Sequence, residues 1–130
     1  MSETGLRILI VDDEPPLLRM MSIYLGRKNY RVTVAGSAPK ARLALAASPG
    51  EYRVVVMDAT LPGTTLAGLG GEILAADLNI RLLVCSGYPV DMSGLEAAAP
   101  GRVAFLHKPF SPEMLAATVR RLLGTEEEAI

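Results

Sequence analysis

The sequence is poor in cysteine. Cys85 is the only one, so no disulfide can close within the chain, which fits a reducing cytoplasm. Because it stands in the apolar run LLVCS, Cys85 reads as core filler and not as a reactive thiol. An excess of either charge is also missing. There are 13 Lys and Arg against 14 Asp and Glu, a formal net charge of -1. A general nucleic-acid binder would show a basic surplus, so no direct nucleic-acid binding is expected. No apolar run approaches the roughly 20 residues that cross a bilayer, so no membrane insertion is expected. The first residues, MSETGLR, lack a signal-peptide pattern, and the expected location is the cytoplasm. No internal repeat and no linker interrupts the chain.

What is present suits one compact domain. The 130 residues are enough for one and too few for two, and a hydrophobic share of 50% excludes a disordered chain. The domain is expected to span residues 1–130, with a core over about 6–123 and short flexible tails at 1–4 and 125–130. The acidic run Glu126-Glu127-Glu128 reads as solvated surface.

Five short apolar runs recur at regular spacing: Leu6–Val11, Tyr30–Ala35, Val54–Met57, Ile80–Cys85 and Val103–Leu106. The first, third and fourth are nearly continuous Val, Ile and Leu, as in strands buried on both faces of a parallel sheet. The second alternates with Arg31 and Thr33 and suits an edge strand. Helical segments lie between them. Pro15 to Lys28 sets Leu18, Met21 and Leu25 on one face, and Pro15 fits a first helical turn. Ser37 can cap a helix over Ala38–Ser48. Val90–Ala99 reads as a weaker helix closed by Pro100-Gly101. Ser111-Pro112-Glu113 opens a last helix, which Gly124 can end. Strand and helix alternate five times, which predicts an α/β domain with helices on both faces of a parallel sheet. Ligands of such sheets bind beyond the carboxyl ends of the strands.

Those ends carry chemistry. The first strand runs into Asp12-Asp13-Glu14, the third into Asp58, the fourth into Ser86-Gly87 and the fifth into His107-Lys108-Pro109. A parallel sheet gathers them on one edge. Three acids at two strand ends exceed what helix capping requires. Hard oxygen ligands of this kind suit Mg2+. His107, the only histidine, is expected to flank Lys108 and point away from the site.

With DDE after the first strand, Asp58-Ala59-Thr60-Leu61-Pro62 after the third, S-G after the fourth and K-P-F after the fifth, the chain resembles the receiver domain of bacterial two-component response regulators over about residues 6–123. The resemblance implies a five-stranded, doubly wound parallel sheet of flavodoxin-like order 2-1-3-4-5 with five helices. It implies that Asp58 accepts a phosphoryl group, and that Asp12, Asp13, Asp58 and the backbone carbonyl of Thr60 hold Mg2+. It implies that Ser86 hydrogen-bonds a phosphoryl oxygen, and that Lys108 pairs with Asp58 before the reaction and with the phosphoryl group after it. Pro109 would follow a cis peptide that aims Lys108 inward. Phe105 would turn inward on the fifth strand, so that the fourth helix, fifth strand and fifth helix respond together. Tyr88, at the mouth of the site, would shield the acyl phosphate or simply pack over the loop.

The partner implied is a sensor histidine kinase, and SGYP with FLHKPF looks like receivers attached to hybrid sensor histidine kinases. There the kinase lies in the same chain, and phosphate can pass on to a histidine phosphotransfer protein. The domain would take part in its own phosphorylation and slow dephosphorylation without being a turnover enzyme. The alternative is a phosphorylation-independent docking adaptor. An aspartate-nucleophile phosphatase would want an acid two residues past its nucleophile, where Asp58 has Thr60.

The chain departs from the family pattern after Pro62, in GTTLAGLGGEILAADL. Two helix starts are open: one near Thr65, carrying glycines at about 1 kcal/mol each relative to Ala, or one at Gly71 after a longer loop. The glycines favour the second.

Overall fold

In the computed structural model the described residues are 5–124. The expected tails, and the reading of Glu126, Glu127 and Glu128, lie outside them. Five parallel strands, β1 (Arg7–Val11), β2 (Arg31–Ala35), β3 (Tyr52–Asp58), β4 (Arg81–Ser86) and β5 (Val103–His107), form one sheet in the order β2-β1-β3-β4-β5. This is the flavodoxin-like order. β1, β3 and β4 lie inside the sheet, as their continuous apolar runs require, and the alternating β2 is an edge.

The crossovers are helices α1 (Pro15–Arg27), α2 (Ala38–Ala47), α3 (Gly71–Ala76), α4 (Ser93–Ala98) and α5 (Pro112–Leu123). Two cores result. On one face Met21 and Leu25 of α1 and Leu115, Val119 and Leu122 of α5 cover Ile8, Ile10, Val54, Val56 and Leu83. On the other, Ala41, Ile73, Leu74 and Leu95 cover Leu9, Val11, Val55, Met57, Leu82 and Val84. Each fully buried Val, Leu or Ile contributes about 1.5–3 kcal/mol.

Serine side chains start two of the helices. Ser37 Oγ accepts the Lys40 N–H at 3.3 Å, and Ser111 Oγ accepts the Met114 N–H at 3.1 Å. α4 is shorter than the sequence predicts. Asp91 Oδ1 accepts both the N–H and the hydroxyl of Ser93, at 2.9 and 2.7 Å, and so sets the start at Ser93 instead of Val90.

The longer loop favoured before α3 does not form. Winding begins at Leu66 as a π-helical turn, Leu66–Gly70, with Thr65 Oγ1 accepting the Gly68 N–H at 2.9 Å. Ordinary α pitch starts only at Gly71. A wide turn keeps Leu69 and Ile73 buried, and glycine permits close approach. A Cβ on Gly70 would meet Leu82 Cδ2 at 3.1 Å.

Candidate functional site

At the carboxyl edge of the sheet, β1 and β3 end in acids that the fold buries. The Asp12 N–H donates to the Ala35 carbonyl at 3.2 Å, which continues the strand ladder one residue past β1. Asp58 is the last residue of β3. Asp12 and Asp58 are only 1% and 5% exposed, whereas Asp13 is exposed. One carboxylate oxygen from each of Asp12, Asp13 and Asp58 lies within 4.8 Å of the others.

None of these acids caps α1. Asp12 Oδ1 instead accepts the Glu14 N–H at 2.9 Å, and Glu14 stands at the helix N-cap with no side-chain capping bond. Pro15 starts the helix there, which leaves the Glu14 carboxylate to approach Lys108. The sequence reading missed this residue; the third acid of the DDE run was the available signal.

Lys108 reaches the cluster from the loop after β5. Its Nζ lies 3.1 Å from Asp12 Oδ2, 3.4 Å from Glu14 Oε1 and 3.6 Å from Asp58 Oδ2. The ammonium thus rests nearer Asp12 than Asp58, the partner the resemblance implies. The Lys108–Pro109 peptide is cis, and the Lys108 N–H donates to the Ser86 carbonyl at 2.8 Å.

The electrostatics follow from burial. Desolvation is the largest influence on Asp12 and pushes its carboxyl above the ordinary 3.8; the Glu14 N–H and Lys108 offset part of this, and the charge of Asp58 adds to it. Burial alone would lower Lys108, but the hydrogen bond and charge of Asp12, with the charges of Asp58 and Glu14, outweigh it and leave the lysine raised. The raised Asp12 is chiefly an effect of burial, whereas the raised Lys108 reflects the carboxylates around it, which outnumber the one ammonium. A divalent cation fits that excess and this all-oxygen donor set.

The neighbouring residues hold the acids in place. Asp58 Oδ1 accepts both the N–H and the hydroxyl of Thr60, each at 3.1 Å. The hydroxyl contact was not foreseen from the sequence. Ser86 is buried at the end of β4, and its Oγ accepts the Tyr88 N–H at 3.0 Å. Tyr88 is 73% exposed, so little of its ring is covered by the protein. Phe105, half-buried, packs on the core shared by α2, α3 and α4. His107 is exposed and sits edge-on to Phe105, with ring centroids 6.3 Å apart. An open apolar groove of about 420 Å³ adjoins Lys108, walled by Pro16, Leu17 and Met20 of α1 and by Pro109 and Phe110. No helix among the described residues is long and apolar enough to cross a membrane.

Known proteins resemble this chain in sequence and fold. Residues 8–120 match the family described as response regulator receiver domain. The transcriptional regulatory protein AruR of Pseudomonas aeruginosa is 32% identical over 122 residues, covering 90% of this chain and 49% of that protein. The sensor kinase CckA of Brucella abortus is 31% identical over 121 residues, covering 92% of this chain and 13% of that protein. The chain therefore spans about half of one relative and a small part of the other. The response regulator TrrA of Thermotoga maritima, solved in complex with Mg2+ and BeF, superposes with a TM-score of 0.76 at 27% identity, covering 91% of this chain and 99% of that one. The chain belongs to the response regulator receiver domain family.

Proposed function

We propose that Asp58 takes a phosphoryl group from a phosphohistidine of a sensor histidine kinase, with Mg2+ present, and that this switches the surface formed by α4, β5 and α5. The observation that carries the reading is the convergence, on one sheet edge, of buried Asp58, two more carboxylates within 4.8 Å and the Lys108 ammonium. Phosphoryl transfer needs positioning and charge neutralisation more than covalent help. Asp58 needs no general base, because its nucleophile is a carboxylate oxygen and not a hydroxyl or thiol. One of its oxygens forms the new P–O bond as the P–N bond of the donor breaks. The electron pair of that bond returns to the imidazole nitrogen, which takes a proton from solvent.

Asp12, Asp13, Asp58 and the Thr60 carbonyl would hold the cation, and the chemistry it supplies there is neutralisation of the phosphoryl oxygens. Thr60 fixes the Asp58 carboxylate through its two bonds to Oδ1. Lys108, already between Asp12, Glu14 and Asp58, exchanges them for a phosphoryl oxygen. Ser86 accepts from Tyr88 and keeps its own O–H to donate to the phosphoryl group. As Ser86 Oγ shifts, the Tyr88 N–H bonded to it carries the loop along. Phe105 then turns inward. It lies on the same face of the sheet as Ser86, because Val84 pairs with Phe105 and Ser86 with His107. Phe105 has no hydroxyl, so it answers by packing alone.

The groove beside Lys108 gives the donor an apolar seat at the mouth of the site. The likeness to CckA, a sensor kinase, supports a histidine kinase as donor, in the same chain or in another, with a histidine phosphotransfer protein as an onward acceptor. The domain acts as a signalling element and not as a turnover enzyme. Nothing observed favours the docking-only adaptor, for which burying Asp12 and Asp58 would cost stability without return.

The test is the intact mass of the protein after incubation with Mg2+ and a small acyl phosphate donor. One added phosphoryl group is expected, absent without metal and absent in Asp58→Asn. No gain in folded wild-type protein would move the reading to the adaptor.

A further inference from the structure

Three carboxylates surround the Lys108 ammonium, and they differ in how firmly they are held. Asp12 and Asp58, at 3.1 and 3.6 Å, are buried. Each is also anchored, Asp12 by the Glu14 N–H and Asp58 by the N–H and hydroxyl of Thr60. Glu14, at 3.4 Å from the ammonium, has a side chain that is 62% exposed and makes no capping bond to α1.

Glutamate is an unexpected residue at this position. Glu14 is the N-cap of α1. Ser, Thr, Asn and Asp are favoured there, because a short side-chain oxygen reaches the N–H of the second or third helical residue. Glutamate is too long for that bond, and the second residue, Pro16, has no N–H to offer. The backbone at Glu14 is nonetheless that of a cap, extended at φ -103° and ψ 104°. Its carbonyl accepts the Leu18 N–H at 3.0 Å, and its own N–H donates to Asp12 Oδ1 at 2.9 Å. The main chain is therefore pinned, and the side chain turns to Lys108 instead of to the helix. Both residues line the open groove beside the site, so the pair can part into solvent without opening the core.

We propose that Glu14 is a positioning residue for Lys108, holding the ammonium at the rim of the site while Asp58 is free and yielding it when a phosphoryl group arrives. The inference rests on the reading of Asp58 as the phosphoryl acceptor. Glu14 then acts as a brake, since the phosphoryl oxygens must win Lys108 from it. It is the most exposed of the three partners and the cheapest to release. An exposed ion pair shifts an equilibrium by about two- to fivefold, which sets the strength of the brake.

The experiment measures the affinity of the 130-residue chain for beryllofluoride, a tetrahedral stand-in for a phosphoryl group on a carboxylate. Binding is followed in Mg2+ by fluorine NMR, with urea unfolding and the NMR signals of the Lys108 side chain recorded alongside. Two variants separate charge from reach. Glu14→Gln removes the charge. Glu14→Asp keeps it, but the shorter side chain caps α1 through the Leu17 N–H and no longer reaches Lys108. Both are expected to tighten beryllofluoride binding by about two- to fivefold, and to shift the Lys108 signals of the free protein in the same direction. Glu14→Asp alone should also raise the folding constant, by roughly two- to tenfold, as a gained cap does.

Unchanged affinity in both variants would overturn the proposal, even if stability moved, and would leave Glu14 a residue of the helix start only. Tighter binding in Glu14→Gln alone would overturn it too, because that is the mark of plain charge repulsion at the mouth of the site. A wild type that binds no beryllofluoride, with Lys108 signals that still move in the variants, would sink the acceptor reading and the brake together while the Glu14–Lys108 pair stood.

Discussion

Mg2+ should stabilise the fold, and the size of the effect can be worked from the acids. Two unit charges 4.8 Å apart, the spacing that bounds the Asp12, Asp13 and Asp58 oxygens, repel by roughly 3 to 4 kcal/mol at an effective dielectric near 20. Lys108 offsets a comparable amount for Asp12 and for Asp58, at 3.1 and 3.6 Å. The surplus carboxylate, Asp13, is exposed and has no such partner in reach of the ammonium among the described ion pairs. A cation that binds only the folded site adds RT ln(1 + [Mg2+]/Kd), about 1.4 kcal/mol at ten times Kd. For a chain of this size that raises Tm by roughly 4 to 8 °C. The assay is thermal unfolding followed by circular dichroism across a Mg2+ titration, with K+ at matched ionic strength as the control. Asp13→Asn should abolish the shift, and without metal it should melt above the metal-free wild type, because one repelling charge is gone. Asp13 is exposed, so the variant should fold. An equal Mg2+ shift in Asp13→Asn, or none in the wild type at any concentration tried, would refute the reasoning.

Two further outcomes follow from burial and backbone geometry, and a third tests the proposed shielding by Tyr88. The Cys85 thiol is buried, and desolvation pushes its pKa up to about 12; it should resist thiol reagents at neutral pH, where the thiolate is scarce, and react fully once the chain is unfolded. Gly71→Ala should stabilise the fold by about 0.5–1 kcal/mol in urea titrations, since Gly71 is helical and its added Cβ would meet nothing within 4 Å. Tyr88→Ala should shorten the lifetime of the acyl phosphate in a decay assay; an unchanged lifetime would remove the shielding role.

Much of the fold was legible because its signals are local. Short continuous runs of Val, Ile and Leu between helical segments mark inner strands of a parallel sheet, and the alternation in β2 marks an edge. Helix starts at Pro15, Ser37 and Pro112 follow from one proline or one serine each. The segment after Pro62 was harder to read. Glycine propensity argues for a loop there, but burial of Leu69 and Ile73 wins, and a π-helical turn reconciles the two. α4 was overextended for a similar reason, since its start depends on a bond between the Asp91 carboxylate and Ser93 that hydropathy does not reveal.

The sequence by itself determined which side chains meet. Parallel strands must put the residues after their carboxyl ends on one edge, so Asp12, Asp13, Asp58, Ser86 and Lys108 gather there whatever the details. Only the tertiary structure decided how they meet. Lys108 leans on Asp12 and Glu14 as well as Asp58, and Thr60 holds Asp58 with its hydroxyl. Such choices turn on ångström differences among competing partners and on which charges are desolvated. Those quantities depend on packing across the whole sheet, and no stretch of sequence carries them.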